Sequence, residues 1–561
     1  MIYSKILKIT HWTWFFCNVL FFLSCGKIKD SLRADIFSDM TTKLKIEFHH
    51  EAGNNDEYHM PESIGSGVAI FDSNNDGLVD IYFLNGYKHK KNTLSSNELF
   101  VQTNDNTFEN KTDESGLGST QYSMGVAIGD INNDGYQDVY CSNVGSDQLF
   151  LNNGNGTFSD ISTAAGIKNQ EWGCSVIFFD YNQDAYLDIF VTNYLNYDSL
   201  QFCTDRAGRQ DYCGPKSYIG VPDILYKNMG DNTFTNVSDY SNISNLNGKG
   251  LGVVSNDFNS DGLADIYVAN DGEANFLWTN QGNGKFIENA VAMGAAFNMV
   301  GAAEAGMGLA IGDVNADKNM DLFVTHLRGE TNTLYIKTDW GFEDMTDQYS
   351  LNRDNISLTG FGTSFIDYDN DTDLDLIVAN GRVTRGFLLQ ENPNPGYWDF
   401  YAEPNLLYSY HKKYGFTAVW SDCGDICQQM NNSRGLASGD INNDGKIDIV
   451  VNNTGGLGKI YINTIPVNHS WLIIDAINPE YNRQDIGANV TVYTELHEIT
   501  KPVINGSSFL SSNDIRLHFG LGDASIVQNV KVRWADGIEE DFGTFKVNQQ
   551  VKLEKGKSTF N

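Results

Sequence analysis

The stretch Asp130-Ile131-Asn132-Asn133-Asp134-Gly135-Tyr136-Gln137-Asp138 has oxygen-bearing side chains at its first, third, fifth and ninth positions and glycine at its sixth. Oxygens at alternate positions of a tight loop, completed by one mid-loop carbonyl, are what a hard cation such as Ca²⁺ takes as ligands. Gly135 permits the sharp turn because it accepts a positive φ without a Cβ clash. The reading is therefore Asp130, Asn132, Asp134 and Asp138 as side-chain ligands, with the Tyr136 carbonyl completing the cage. The same pattern recurs in six more loops. Their ligand sets are Asp72, Asn74, Asp76 and Asp80; Asp180, Asn182, Asp184 and Asp188; Asp257, Asn259, Asp261 and Asp265; Asp313, Asn315, Asp317 and Asp321; Asp367, Asp369, Asp371 and Asp375; and Asp440, Asn442, Asp444 and Asp448. Up to seven Ca²⁺ ions are expected.

Three loops lack the glycine and carry Ala185, Lys318 and Thr372 instead. A non-glycine residue held left-handed costs on the order of 1 kcal/mol, and Lys318 brings a positive charge close to the ion. The loop at Asp313 is expected to bind most weakly. The loop at Asp367 has two extra acids, Asp369 and Asp373, in compensation.

Elements that would position these loops stand on either side of them. Each loop follows a short apolar run such as Gly67–Phe71 and precedes another such as Ile81–Asn85. These runs are rich in β-branched and aromatic residues and read as buried strands. An EF-hand would need helices there and a glutamate at position twelve. A third run (Leu99-Phe100-Val101, Leu149-Phe150-Leu151) and a fourth (Thr107–Asn110, Thr157–Asp160) follow in each unit. Loop starts recur at about 50–58 residues, with two wider intervals. The wider intervals hold insertions near 196–222 and 386–430. Four short strands per unit over seven units predict an all-β fold, a seven-bladed β-propeller. Leu44–Phe48 reads as an orphan strand that completes the last unit and removes an open edge.

Gly125–Gly135, with Gly-Val-Ala-Ile-Gly-Asp followed by Asn-Asn-Asp-Gly, resembles the FG-GAP/VCBS repeats of integrin α propellers and bacterial surface proteins. The resemblance spans 43–465 and implies Ca²⁺ held between the first two strands of each blade. Beyond it, the 468–561 region holds Asn482–Val492, His518–Gly522 and Val530–Gly537. It resembles the ASPIC/UnbV domain that follows such propellers in the cartilage-acidic-protein-like family. It reads as a small β-sandwich with no assignable chemistry.

The net charge of −34 excludes nucleic acid as a partner, since phosphate binding needs basic patches. The loops alone hold 23 aspartates, so metal binding explains the acidity better than solubility does. At the N-terminus, Lys5 and Lys8 precede an apolar stretch from Trp12 to Leu23 of secretory length. Phe22-Leu23-Ser24-Cys25-Gly26 resembles a bacterial lipoprotein signal, with Phe22 in place of the usual aliphatic residue. That predicts a signal peptide over 1–24, lipidation at Cys25, a tether over 25–42 and a place in the cell envelope, at the outer membrane on its extracellular or periplasmic face. Even cysteine numbers in an exported chain point to disulfides. Cys203 with Cys213 and Cys423 with Cys427 form local clips, and Cys141 with Cys174 is a third candidate pair, against which stands the frequency of buried free cysteines.

No HExxH, Walker loop or GxSxG elbow occurs. His49 and His50 are adjacent strand residues that face opposite ways, so they read as core or edge rather than as ligands. Tyr194, Tyr197, Tyr212 and Tyr218 in the first insertion, and Tyr397, Trp398, Tyr401, Tyr408, Tyr410, Tyr414 and Trp420 in the second, suit either stacking on a partner or packing onto the propeller. The functional expectation is a non-catalytic, Ca²⁺-binding cell-surface lipoprotein that binds a glycan or protein. The alternatives are a polysaccharide-acting enzyme with a propeller pocket, or an accessory subunit of an outer-membrane transport complex.

Overall fold

The apolar runs flanking each acidic loop pair with one another as antiparallel strands. In a computed structural model describing residues 35–53, 58–86, 95–205, 207–466 and 468–558, Val68–Phe71 pairs with Asp80–Phe83, then Glu98–Gln102, then Phe108–Asn110. Seven four-stranded sheets of this kind succeed one another from residue 37 to residue 463. The innermost strand of each lies beside that of the next, and that of the seventh (Ser433–Gly439) lies beside that of the first. The molecule is thus a β-propeller, and the described residues are almost entirely strand and turn. The acidic loops all join first to second strands, so they gather on one face. The first insertion, 196–222, joins second to third strand on the other face. The span read as the second, 386–430, instead contains the third and fourth strands of the sixth sheet, Leu406–His411 and Gly415–Ala418. Only its segments before 406 and after 418 are added to that face.

The ring closes with residues other than those expected. The fourth strand of the seventh sheet is Phe37–Asp39, paired with Lys459–Asn463, inside the stretch read as tether. Leu44–Phe48 forms a turn and an extended run instead. Its alternating burial is satisfied by a wedge between the seventh and first sheets, where Phe48 stacks on Phe83 at 4.6 Å. The propeller therefore begins at 37 rather than 43. The closing strand is backed by the second insertion, since Phe37 N donates to the Cys423 carbonyl at 3.0 Å.

Disulfides join Cys203 to Cys213 and Cys423 to Cys427. Cys141 and Cys174 are not joined to each other but are buried free thiols. Each is sealed in a different apolar cluster, Cys141 with Tyr82 and Leu99, Cys174 with Trp172 and Tyr194. The signal segment and Cys25 lie outside the described residues. No helix among the described residues is long and apolar enough to cross a membrane.

Residues 469–558 form two further four-stranded sheets. They face each other across a core of Leu472, Ile474, Val490, Val530, Val532 and Trp534. This domain sits on the acidic-loop face, and one of its loops, residues 505–514, enters the axis of the ring. Ser512 exchanges backbone hydrogen bonds with Val68 and Ile70, Ser508 with Leu309, and the Leu510 carbonyl accepts from Val126 N. Side chains extend the contact. Asn505 Oδ1 accepts from Phe178 N, Ser508 Oγ from Thr363 N and Asn513 Oδ1 from Ser438 N. Six of the seven inner strands thus bond to one loop. Gly67 is required by it, because a Cβ there would fall 1.6 Å from the Leu510 carbonyl oxygen.

Candidate metal loops

In the second loop, Asp130 Oδ2 accepts from Gly135 N at 2.8 Å and Oδ1 from Asp134 N at 3.2 Å. Asn132 accepts from Asp134 N and donates its amide to Asp134 Oδ2 at 2.9 Å. The first, third and fifth side chains thus converge on one centre. The sixth residue has positive φ in all seven loops, including Ala185 (76°), Lys318 (74°) and Thr372 (85°). The fourth residue does too, from Asn75 to Asn443, which the sequence reading did not anticipate.

The ninth carboxylate has a second duty. Asp138 accepts from Ile131 N at 2.9 Å and from Asn152 N, on the third strand, at 2.7 Å. The equivalent pair of bonds recurs at Asp80, Asp188, Asp265, Asp321, Asp375 and Asp448. A side chain read as a ligand is also a staple from loop to third strand.

Burial raises these carboxyls. Asp80, Asp265 and Asp440 are pushed up to about 7 and Asp321 to about 8, while Asp138, Asp188, Asp375 and Asp448 go well above the usual carboxylate range. Desolvation is the main cause, and neighbouring acids of the same loop add to it. Buried acids crowded this way suit a divalent cation. In the sixth loop Asp367, Asp369 and Asp375 each bring a ligand atom within 4.8 Å of the others, and Asp369 Oδ1 is buried without a hydrogen-bond partner. The donor set fits a hard cation.

The loops are also linked to one another. The fourth side chain donates to the sixth carbonyl of the next loop: Asn75 to Gly135, Asn133 to Ala185, Gln183 to Gly262 and Asn370 to Gly445, at 3.0–3.1 Å. A third-strand amide reaches back to the preceding loop: Asn152 to Ser73 O, Asn228 to Ile131 O, Asn280 to Tyr181 O, Asn463 to Tyr368 O and Gln102 to Ile441 O. The recurrence of Asn at the end of four of the third runs, at Asn152, Asn228, Asn280 and Asn463, is the sequence signal for this belt.

On the opposite face most of the insertion aromatics are spent on packing. Tyr194, Tyr401 and Tyr408 are buried. Tyr212 of the first insertion stacks on Trp398 of the second at 6.1 Å, and its hydroxyl donates to Glu62 Oε2. Trp420 remains exposed, as does Tyr414, which lies in the turn between the third and fourth strands of the sixth sheet and so on the acidic-loop face. His50 is buried against Ser66 Oγ at 3.0 Å, and burial pushes its imidazole down to about 3; His49 points out towards Glu51.

Family models match parts of both the propeller and the domain on its acidic face. The FG-GAP-like repeat model matches residues 72–141, 130–191 and 257–324, and the ASPIC and UnbV model matches 478–560. Among curated proteins the chain is similar to cartilage acidic protein 1. It is 22% identical to the Mus musculus protein over 359 residues, 60% of this chain and 51% of that protein. Against the Homo sapiens protein it is 22% identical over 370 residues, 63% and 52% of the two chains. The chain thus spans about half the length of these relatives. Solved structures similar in fold include an Agrocybe aegerita lectin that recognises non-reducing terminal N-acetylglucosamine (14% identity, TM-score 0.39, 69% of this chain and 88% of the lectin). Another is YCF48 bound to a D1 peptide (9% identity, TM-score 0.39, 71% and 91%). Likeness of that order bears on fold alone. The repeats point to a binding or scaffold module.

Proposed function

We propose that this chain is a Ca²⁺-loaded, non-catalytic binding module of the cell envelope, anchored by a lipid on Cys25, which meets a glycan or protein partner through its insertion face. The observation that carries this reading is the way the two faces are used. The acidic face and the axis are occupied by the chain's own C-terminal domain. Among the described residues no part of the C-terminal domain covers the insertion face, and Leu200, Phe202, Ile219 and Phe387 stand 64–91% exposed there. Exposed apolar side chains grouped on a face mark interaction sites.

Calcium's part is structural. Asp130, Asn132 and Asp134 and their counterparts would hold it, where it neutralises carboxylates that otherwise repel. Elemental analysis and melting curves of the mature chain in Ca²⁺ and in EDTA test the metal. Bound metal and a melting temperature lowered by EDTA are expected, and an unchanged curve with no bound metal refutes it. Phe202→Ser with Phe387→Ser in a glycan-array and envelope pull-down screen tests the face. Capture that survives both substitutions refutes that assignment.

A further inference from the structure

The sixth loop differs from its siblings at the third position. In the loops at Asp72, Asp130, Asp257, Asp313 and Asp440 that residue is asparagine, and its amide donates to the fifth-position carboxylate at 2.9–3.3 Å. Those loops knit themselves. In the sixth loop Asp369 has no proton to give Asp371, and its Oδ1 is buried with no partner. Two neighbouring carboxylates there repel one another unless a cation or a shared proton lies between them. Lys501 stands beside Asp367, but one ammonium faces Asp367, Asp369, Asp371 and Asp375.

The same loop is one seat of the C-terminal domain, beside the second, third and seventh loops, which hold Asn482, Arg483 and Arg516. The Asp369 carbonyl is 2.8 Å from His469 Nδ1, the Asn370 carbonyl accepts from Gly522 N at 2.8 Å, and Thr372 Oγ1 is 3.3 Å from His497 Nδ1. Gly520 lies so close that a Cβ on it would be 1.9 Å from Asp367 Oδ2. Asn370 passes the contact to Gly445 O, which also meets His518 Nε2 at 3.0 Å. The seat reads the backbone shape of the loop, which Asp367 and Asp371 hold through Asp371 N, Thr372 N and Asp373 N and which a cation on those carboxylates would brace.

Resting on the calcium reading above, we propose that divalent-ion occupancy of the sixth loop fastens the C-terminal domain to the propeller, and with it the axial loop 505–514. The chain then carries a metal-dependent intramolecular joint, and losing that ion loosens the segment 505–522 where it meets the sixth loop while the sheets stay folded.

Hydrogen exchange of the full mature chain in Ca²⁺ and in EDTA tests this, with bound metal counted in parallel. Amides of 505–522 are expected to lose protection at least about tenfold in EDTA, ahead of the inner strands. Asp369→Asn, which restores the self-knitting amide, is expected to hold that loss to about twofold. Metal that leaves without loosening 505–522, or Asp369→Asn as sensitive as the parent, overturns the joint and leaves the calcium reading standing. A parent chain that binds no metal overturns both.

Discussion

Around the ring, the joins between neighbouring sheets differ in how many of the belt's bonds cross them, and the join from the seventh sheet to the first carries the third-strand amide of Gln102. From the first sheet to the fourth, and between sixth and seventh, each join carries both a fourth-position side chain and a third-strand amide donating across it. On both sides of the fifth sheet neither device is present. Ser260 and Ala316 occupy the fourth positions, and Lys337 and Tyr410 stand where the amides would be. At the places the belt would occupy those joins have apolar contacts, with Phe258 against Phe342 at 5.7 Å and Phe323 against Phe365 at 6.2 Å. The contrast shows an acidic-face belt of side-chain bonds that runs over most of the circumference and is interrupted around one sheet. The joins of that sheet keep other bonds, such as Thr325 Oγ1 to Phe361 O and Phe342 N to Met293 O. That sheet also bears the loop at Asp313, where Lys318 pairs with Glu498 of the C-terminal domain at 2.8 Å.

Substitution on the bonded side should have the largest effect. Asn280 is buried and gives its amide to Tyr181 O and Ala264 O, so Asn280→Ala leaves two carbonyls without it and should cost about 2 kcal/mol in urea unfolding. Lys337→Ala, at the equivalent place in the fifth sheet, should cost no more than about 0.5 kcal/mol. Equal losses at the two positions would erase the distinction.

A second test separates sheets within the bonded side by pH. The second and third sheets cap their second strands with Asp147 and Asp223, where the fourth to sixth use Asn275, Asn332 and Asn405. Burial pushes Asp147 and Asp223 up to about 7. A carboxyl raised in the folded state favours folding while protonated. Its contribution is therefore complete below about pH 4 and is lost as pH rises through about 7. Asp223→Asn, whose amide oxygen can still accept from Asn193 N, should raise the melting temperature at pH 8 and flatten its fall between pH 5 and 8. A slope unchanged from the parent would remove Asp223 from the account.

The smallest effect is a gain. Ala316 already has the positive φ (61°) at which asparagine is tolerated. Ala316→Asn should supply the missing donor towards the sixth loop and stabilise by about 0.5 kcal/mol. A destabilised Ala316→Asn would show that the two loops are set too far apart for the belt to be completed.

The loops and sheets were legible because ion chemistry dictates residue types at fixed spacing, and because alternate burial dictates the runs on either side. The belt left a trace in the repeated asparagines at Asn152, Asn228, Asn280 and Asn463, whose partners lie a whole sheet away. Closure by Phe37–Asp39 was not legible, for three residues hold no periodicity, and Leu44–Phe48 alternated for another reason. The axial loop was the largest omission. Asn505-Gly506-Ser507-Ser508 reads as an ordinary surface turn, and nothing local tells that its donors and acceptors are matched to strands more than a hundred residues earlier.

That loop also sets an order of assembly. Residues 505–514 are synthesised after every strand of the ring, so the inner wall must wait for its stopper until the chain is nearly complete. A fragment ending at residue 465 would have a wet bore in place of a solid axle, its Val68, Val126 and Leu309 amides turned to water. The usual boundary between repeat array and trailing domain is therefore a poor place to cut this molecule.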